Sequence, residues 1–438
     1  MSDIPRRTAQ RTVRLASLPL GAAGRAAAGW GKRLTGRSAE EVNAELQARA
    51  AEQLFAVLGE LKGGAMKFGQ ALSVFEAAIP DEYAAPYREA LTKLQSAAPP
   101  MAPGTVRRVL DEQLGSGWRR RFAEFSEEPA AAASIGQVHR AVWHDGREVA
   151  VKVQYPGADE ALRSDLRQLQ RFSRLFETLA PGIELRALLT ELQDRMVEEL
   201  DYRDEAENQR AFAAAFAGDP AIRVPAVVAS APKVLVSEWV TGTPLSAIIR
   251  SGTQDERDDA GSRLTEFHFS SPARAGLLHA DPHPGNFLRL ADGRLCVIDF
   301  GGVAKLPGGL PRTLGRITRL AVDGRGDDLL ALLRAEGFLR AGVEVRAADL
   351  IDYLGPLAEA MRVERFHFTR AWMQGQAERV GRIGTPEFRT GMSLNLPAQY
   401  LLVHRVTVGS IGVLCQLEAE APYRGICARW QPGFADED

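Results

Sequence analysis

The strongest constraint on how this chain can fold is the order of three short stretches: VAVK ending at Lys152, HADPHPGN carrying Asp281 and Asn286, and VIDFGG carrying Asp299. Each is weak alone, because a strand lysine is normally a solvated charge, an Asp in a Pro-rich loop a turn residue, and an Asn a loop cap. Their order is what carries information. Asn286 follows Asp281 by five residues, and Asp299 follows Asn286 by thirteen, at the end of an apolar run and before two glycines. Phosphoryl-transfer sites need a lysine for phosphate oxygens, a loop Asp beside the acceptor, an Asn five residues on for a metal ion, and a second metal-binding Asp at a strand end.

The local pattern places these residues on suitable elements. AVWHDGREVAVKVQYPG holds two apolar runs joined around Asp145 and Gly146, a hairpin dipeptide. In the second run Val149, Val151 and Val153 alternate with Ala150, Lys152 and Gln154, so Lys152 projects from a strand on the side opposite the valines. An acidic stretch from Leu185 to about Phe216 is predicted to be helical and supplies carboxylate partners for Lys152. VPAVVAS and KVLVSEWV read as strands, and the rest is mainly helical apart from RLCVIDFGG. The predicted fold class is α+β, a protein-kinase-like two-lobe fold with a small β-rich N-lobe and a helical C-lobe.

Upstream, Ser38 and Glu41 form a capping-box pattern, followed by apolar residues at helical spacing as far as Gly63 and Gly64; a second apolar pattern runs to Pro80. APPMAP, Ala98 to Pro103, reads as a linker. The expected organisation is a basic arm over 1–38, a helical extension over 39–103, the N-lobe over 104–240 and the C-lobe over 241–438.

His279, Asp281 and His283 also invite a metal-site reading. Pro282 and Pro284 forbid a regular paired strand there, and no other histidine cluster supplies the missing ligands. A formal net charge of -2 argues against nucleic acid as the main partner. Cys296, Cys415 and Cys427 form neither a disulfide framework nor a Cys-x-x-Cys pair, which fits a reducing cytoplasm. YLLVHRVTVGSIGVL, with His404 and Arg405 in its middle, reads as a buried helix. The first forty residues carry eight Lys and Arg, from Arg6 to Arg37, opposed almost only by Asp3. Two readings of this arm are open: a solvated tail, or a segment lying on an anionic membrane surface.

An ordinary protein kinase covers the phosphates with G-x-G-x-x-G. Here the corresponding stretch, expected to be a loop, is AAAASIGQVHRA, with alanines where glycines would stand, a lone Gly136, HAD in place of HRD, and no A-P-E after Asp299. These departures, with GGAMKFGQ from Gly63 to Gln70 and EELDYRDEAENQR from Glu198 to Arg210, resemble the UbiB-like atypical kinase family, kinase-like ATPases linked to coenzyme Q biosynthesis. The resemblance covers roughly residues 40 to 310.

The resemblance implies ATP or ADP and Mg2+ as cofactors. It implies nucleotide contacts from Ala131, Ala132, Ala133, Ser134, Lys152, Glu238 and Val240, with Glu205 pairing Lys152. It places Asp281 as the catalytic-loop aspartate and Asn286 and Asp299 on the metal. It also places Lys67 and Gln70 on a helix over the cleft, with Lys67 near Glu199 and Asp201. On a regular helix Glu199 and Asp201 cannot face one way, whereas Asp201 and Glu205 can. Either the helix is interrupted near Tyr202 or one of the first two carboxylates meets Lys67.

Three functions are compatible with these residues. One is a Mg2+-dependent ATPase or kinase acting on or near an isoprenoid or quinone-type lipid at a membrane surface, which makes the protein cytoplasmic and peripheral on a membrane. The second is a phosphotransferase for a soluble metabolite or antibiotic. The third is a nucleotide-sensing scaffold of a lipid-biosynthetic complex.

Overall fold

The computed structural model describes Ala77 and residues 100–133, 135–158, 160, 200–340, 342–382 and 384–435. The basic arm, the part of the extension that carries Lys67 and Gln70, and the positions Ser134 and Glu199 lie outside the described residues.

The first described helix, α1 (Pro103–Leu114), has proline at its first turn, where the missing N–H is no loss, and buries Val106, Val109 and Leu110 on one face. It covers the back of a five-stranded antiparallel sheet of order β1-β2-β3-β6-β5. The strands are β1 (Phe122–Ala133), β2 (Gly136–Trp143), β3 (Glu148–Gln154), β5 (Val227–Ala231) and β6 (Val234–Glu238). The β2–β3 hairpin turns at Asp145 and Gly146; Gly146 has φ 89°, which glycine reaches without strain. Val149, Val151 and Val153 are fully buried on the face under α1, and Lys152 lies on the other face, paired across the ladders with Val138 and Leu235.

One element differs from the sequence reading, and one choice that the reading left open is decided. The alanine-rich stretch is a strand end rather than a loop: Ala131, Ala132 and Ala133 pair with Val138, Gln137 and Gly136. Pairing with β2 overrides the low strand preference of alanine, and three register shifts along β1 hide its alternation. The helix break near Tyr202 is one of the two alternatives the sequence left open: Leu200 is a turn and Asp201 is the N-cap of α2 (Tyr202–Ala215), its carboxylate accepting from the Arg203 amide. An Asx cap competes with helix continuation at that point.

After β6 the chain crosses into the helical lobe through β7 (Thr243–Pro244) and α3 (Leu245–Ser251). The central helix α4 (Gln254–Ala275) opens with a Thr253–Glu256 capping box and stops at Gly276, which is left-handed. The loop segments that follow are held by short strands: β8 (Leu277–His279) pairs with β11 (Val303–Lys305), and β9 (Phe287–Arg289), β10 (Leu295–Val297), β7 and β4 (Ile222–Arg223) make a second small sheet. Runs of two or three residues are too short to show alternation, so β8 and β9 left no strand signal in the sequence. Farther on, α5 (Arg312–Val322) leads into the C-terminal helices. The apolar helix α6 (Ala398–Leu417) is long and apolar enough to cross a membrane by composition, yet 56% of its apolar 18-residue window is buried inside the protein.

Candidate functional site: a lysine between two carboxylates

Lys152 sits where the sheet, α2 and the segment after β10 converge. Its Nζ donates to both carboxylate oxygens of Glu205, at 2.7 and 2.9 Å, and to Oδ2 of Asp299 at 3.0 Å. The side chains are 15%, 4% and 23% exposed respectively. Burial by itself lowers the lysine pKa, but the carboxylates of Asp299 and Glu205 outweigh it and hold the group well above the ordinary lysine range. Lys152 is therefore a fixed cation at neutral pH. Strand alternation aims it at this side, and the 3.6-residue period of α2 brings Tyr202, Glu205, Gln209 and Phe212 to one buried face.

The loop from Ala280 to Asn286 is stitched to the segment 298–302. Ala280 N donates to Gly302 O at 2.7 Å, Ile298 N to Asn286 O at 3.0 Å, and Asn286 Nδ2 to Asp281 O at 3.1 Å. Asp299 Oδ1 accepts from Gly301 N at 3.1 Å, which turns Oδ2 toward Lys152. Phe300 is fully buried against Phe212 and His279, with ring centroids 5.2 and 5.9 Å apart, and its carbonyl accepts from Asn208 at 3.3 Å. A methyl at Gly302 would stand 3.2 Å from Asp281 Cβ, so glycine lets the two segments approach.

The histidines of the loop have structural partners. His279 is fully buried, and its Nε2 lies 2.8 Å from the carbonyl oxygen of Asp299. His283 Nδ1 accepts from Gly285 N at 3.1 Å and caps the short turn Pro284–Asn286. Among the described residues no group of three or more His, Cys, Asp and Glu is placed to hold a metal ion. The carboxylate of Asp299 and the amide oxygen of Asn286 are hard oxygen donors, the chemistry that suits Mg2+ with phosphates completing its shell. The three thiols are buried, and burial pushes each up to about 12, which removes them as nucleophiles.

Residues 93–324 match the ABC1 atypical kinase-like domain. The chain belongs to this family. It is similar to the mitochondrial atypical kinase COQ8B of Rattus norvegicus, 32% identical over 300 residues, or 68% of this chain and 56% of that one. It is also similar to the probable protein kinase UbiB of Azotobacter vinelandii, 36% identical over 253 residues, or 55% of this chain and 46% of that one. The chain spans about half the length of the curated relatives it matches. A solved structure of the Mycobacterium tuberculosis protein Rv3197 in complex with erythromycin is 50% identical, with a TM-score of 0.70. The match covers 91% of this chain and 100% of that one.

Within the ABC1 domain, the structure brings Lys152, Glu205 and Asp299 into direct contact and sets the Asp281–Asn286 loop against the segment of Asp299. Ala131 to Ala133 form the outer end of the first hairpin. Glu238 and Val240 lie at the crossing between lobes, but the Glu238 carboxylate is engaged by Arg223 at 2.7 Å and by Ala226 N at 3.0 Å. What Glu238 presents elsewhere is main chain. Asp201 caps α2 and pairs with Arg203 at 2.6 Å, which holds its carboxyl below the usual range. Asp204 and Glu207 are exposed, as a solvated helix face requires. Sequence reasoning assigned no role to Tyr202, Asn208 or Phe300; for Tyr202 and Asn208 the three- and four-residue offsets from Glu205 and Phe212 were the available signal, and Phe300 had no such local period.

Proposed function

We propose that the chain is an ATP-binding, Mg2+-dependent atypical kinase or ATPase that acts on or near an isoprenoid or quinone-type lipid at a membrane surface. The observation that carries the nucleotide reading is the Lys152 ammonium held between Glu205 and Asp299 beside the Asp281–Asn286 loop. In this reading Lys152 meets phosphate oxygens, Asn286 and Asp299 hold the metal, and the Asp281 carboxylate orients the attacking hydroxyl or water and takes its proton. When bound, Mg2+ neutralises charge on the phosphates. Buried Phe300 and the His279 contact keep Asp299 aimed without help from a phosphorylated segment. The lipid substrate rests on the resemblance to the UbiB-like kinases linked to coenzyme Q biosynthesis, to which relatives named COQ8B and UbiB correspond.

A second reading has an observation of its own. The 50% identical relative was solved with erythromycin, so a large amphipathic macrolide is an alternative ligand, with transfer to a soluble acceptor as the matching activity.

Hydrolysis of Mg-ATP by the full chain, measured with and without anionic liposomes, quinone-like phenols and erythromycin, tests these readings against an Asp299→Asn control. Stimulation by liposomes and phenols that Asp299→Asn abolishes supports the first. Phosphate transfer to erythromycin without lipid supports the second. Nucleotide binding with no turnover in any condition leaves a nucleotide-sensing scaffold and refutes both activities.

A further inference from the structure

Tyr202 is 1% exposed, yet the reading above gives it no task. Its ring lies under the Lys152 ammonium, with Nζ 5.1 Å from the ring centroid. Its amide donates to Pro232 O at 2.9 Å, which ties the first residue of α2 to the β5–β6 turn. Its hydroxyl faces Gly136, the residue that closes the alanine hairpin by pairing with Ala133. A methyl at Gly136 would overlap the Val153 carbonyl oxygen and approach the Tyr202 hydroxyl to 2.9 Å. Gly136 is therefore glycine because β3 and this tyrosine both crowd it. Ile135, Ala206 and Leu235 complete the packing around the ring.

We infer that Tyr202 is a positioning residue: its ring face fixes the Lys152 ammonium, and its outer edge sets the base of the alanine hairpin, so both phosphate-side elements share one reference point. An ammonium is drawn to the negative face of an aromatic ring, most strongly where water is excluded. Glu205 and Asp299 hold the cation by hydrogen bonds from two directions, and Tyr202 supports it from a third. The carboxylates alone would leave the lysine free to follow whichever of them moved. This inference rests on the nucleotide reading, and the test separates the two.

The full chain carrying phenylalanine at position 202, then phenylalanines with increasing fluorine substitution, is titrated with Mg-ATP and Mg-ADP. Each variant's melting temperature is followed in parallel. Fluorine withdraws charge from the ring face while nearly preserving its shape. The expected result is a stepwise weakening of nucleotide affinity to about tenfold, the scale of a desolvated cation–π contact. Tyr202→Phe keeps the ring face under Lys152 and loses only the hydroxyl at Gly136, where Ile135 and Leu235 still pack the ring, so it should stay within about twofold of the wild type. Tyr202→Leu, if it folds, should match the most fluorinated ring and raise KM more than it lowers kcat. Affinity that is flat across the fluorine series while nucleotide still binds overturns the inference, and so does a loss in Tyr202→Phe as large as in Tyr202→Leu. Failure of the wild type itself to bind Mg-ATP, or equal binding by Lys152→Met, overturns the nucleotide reading instead.

Discussion

Glu205→Gln asks whether the Lys152 ammonium is held by a buried pair or by the fold around it. Removing one member of a buried ion pair costs about 3 to 5 kcal/mol, because the survivor stays desolvated without its partner. Here the survivor keeps Asp299 at 3.0 Å and the Tyr202 ring, and glutamine retains one acceptor. The expected loss falls to about 2 kcal/mol, or roughly 4 to 8 °C in melting temperature for a domain of this size. The assay is urea denaturation of the full chain at neutral pH. Asp204→Asn is the control, since it removes an exposed carboxylate one residue away and should change stability by less than about 0.5 kcal/mol. Combining Glu205→Gln with Lys152→Met removes the orphaned cation as well, so the double variant should lose less than the sum of the single losses. Equal midpoints for Glu205→Gln and Asp204→Asn, or strict additivity in the double variant, would refute the reasoning.

Two further expectations concern the helical lobe. His268 is buried beside His279 with its Nδ1 3.0 Å from Ser410 Oγ, and burial, with a smaller contribution from His279, lowers its pKa from 6.5 to about 3. A depressed folded value means that the folded state binds fewer protons. Stability is therefore full above 6.5 and falls as pH drops toward about 3, by on the order of 4 kcal/mol from this group. His268→Gln should flatten that part of the acid-denaturation curve; an unchanged slope between those pH values counts against it. Phe300→Ala empties a fully buried ring site between Phe212 and His279 and should destabilise by about 3 to 5 kcal/mol. Phe300→Leu should recover most of that in the same unfolding measurement, and a Leu variant as unstable as Ala would show that ring geometry rather than volume matters.

The sequence determined the composition of the site, because the chemistry is written in residue types at short offsets. Val149, Val151 and Val153 alternate against Lys152 whatever the partners, so the side of the strand that bears the lysine was legible from a two-residue period. The five-residue step from Asp281 to Asn286 and the turn after Asp299 were equally local. The choice of Glu205 among the neighbouring carboxylates was implied by resemblance, and the structure places that residue 2.7 Å from Lys152. Where the sequence misled, a local preference met a stronger distant partner. Ala131 to Ala133 became strand because β2 offered a ladder. Whether the helix carrying Glu205 breaks near Tyr202 was open in the sequence, and the Asp201 cap decides that it begins there. The tertiary structure alone decided that the Tyr202 ring lies under Lys152 and that Asn208 reaches the Phe300 carbonyl. Those contacts join residues from 50 to 92 positions apart, one within the N-lobe and one between the lobes, and no local period encodes a separation that depends on how distant elements pack.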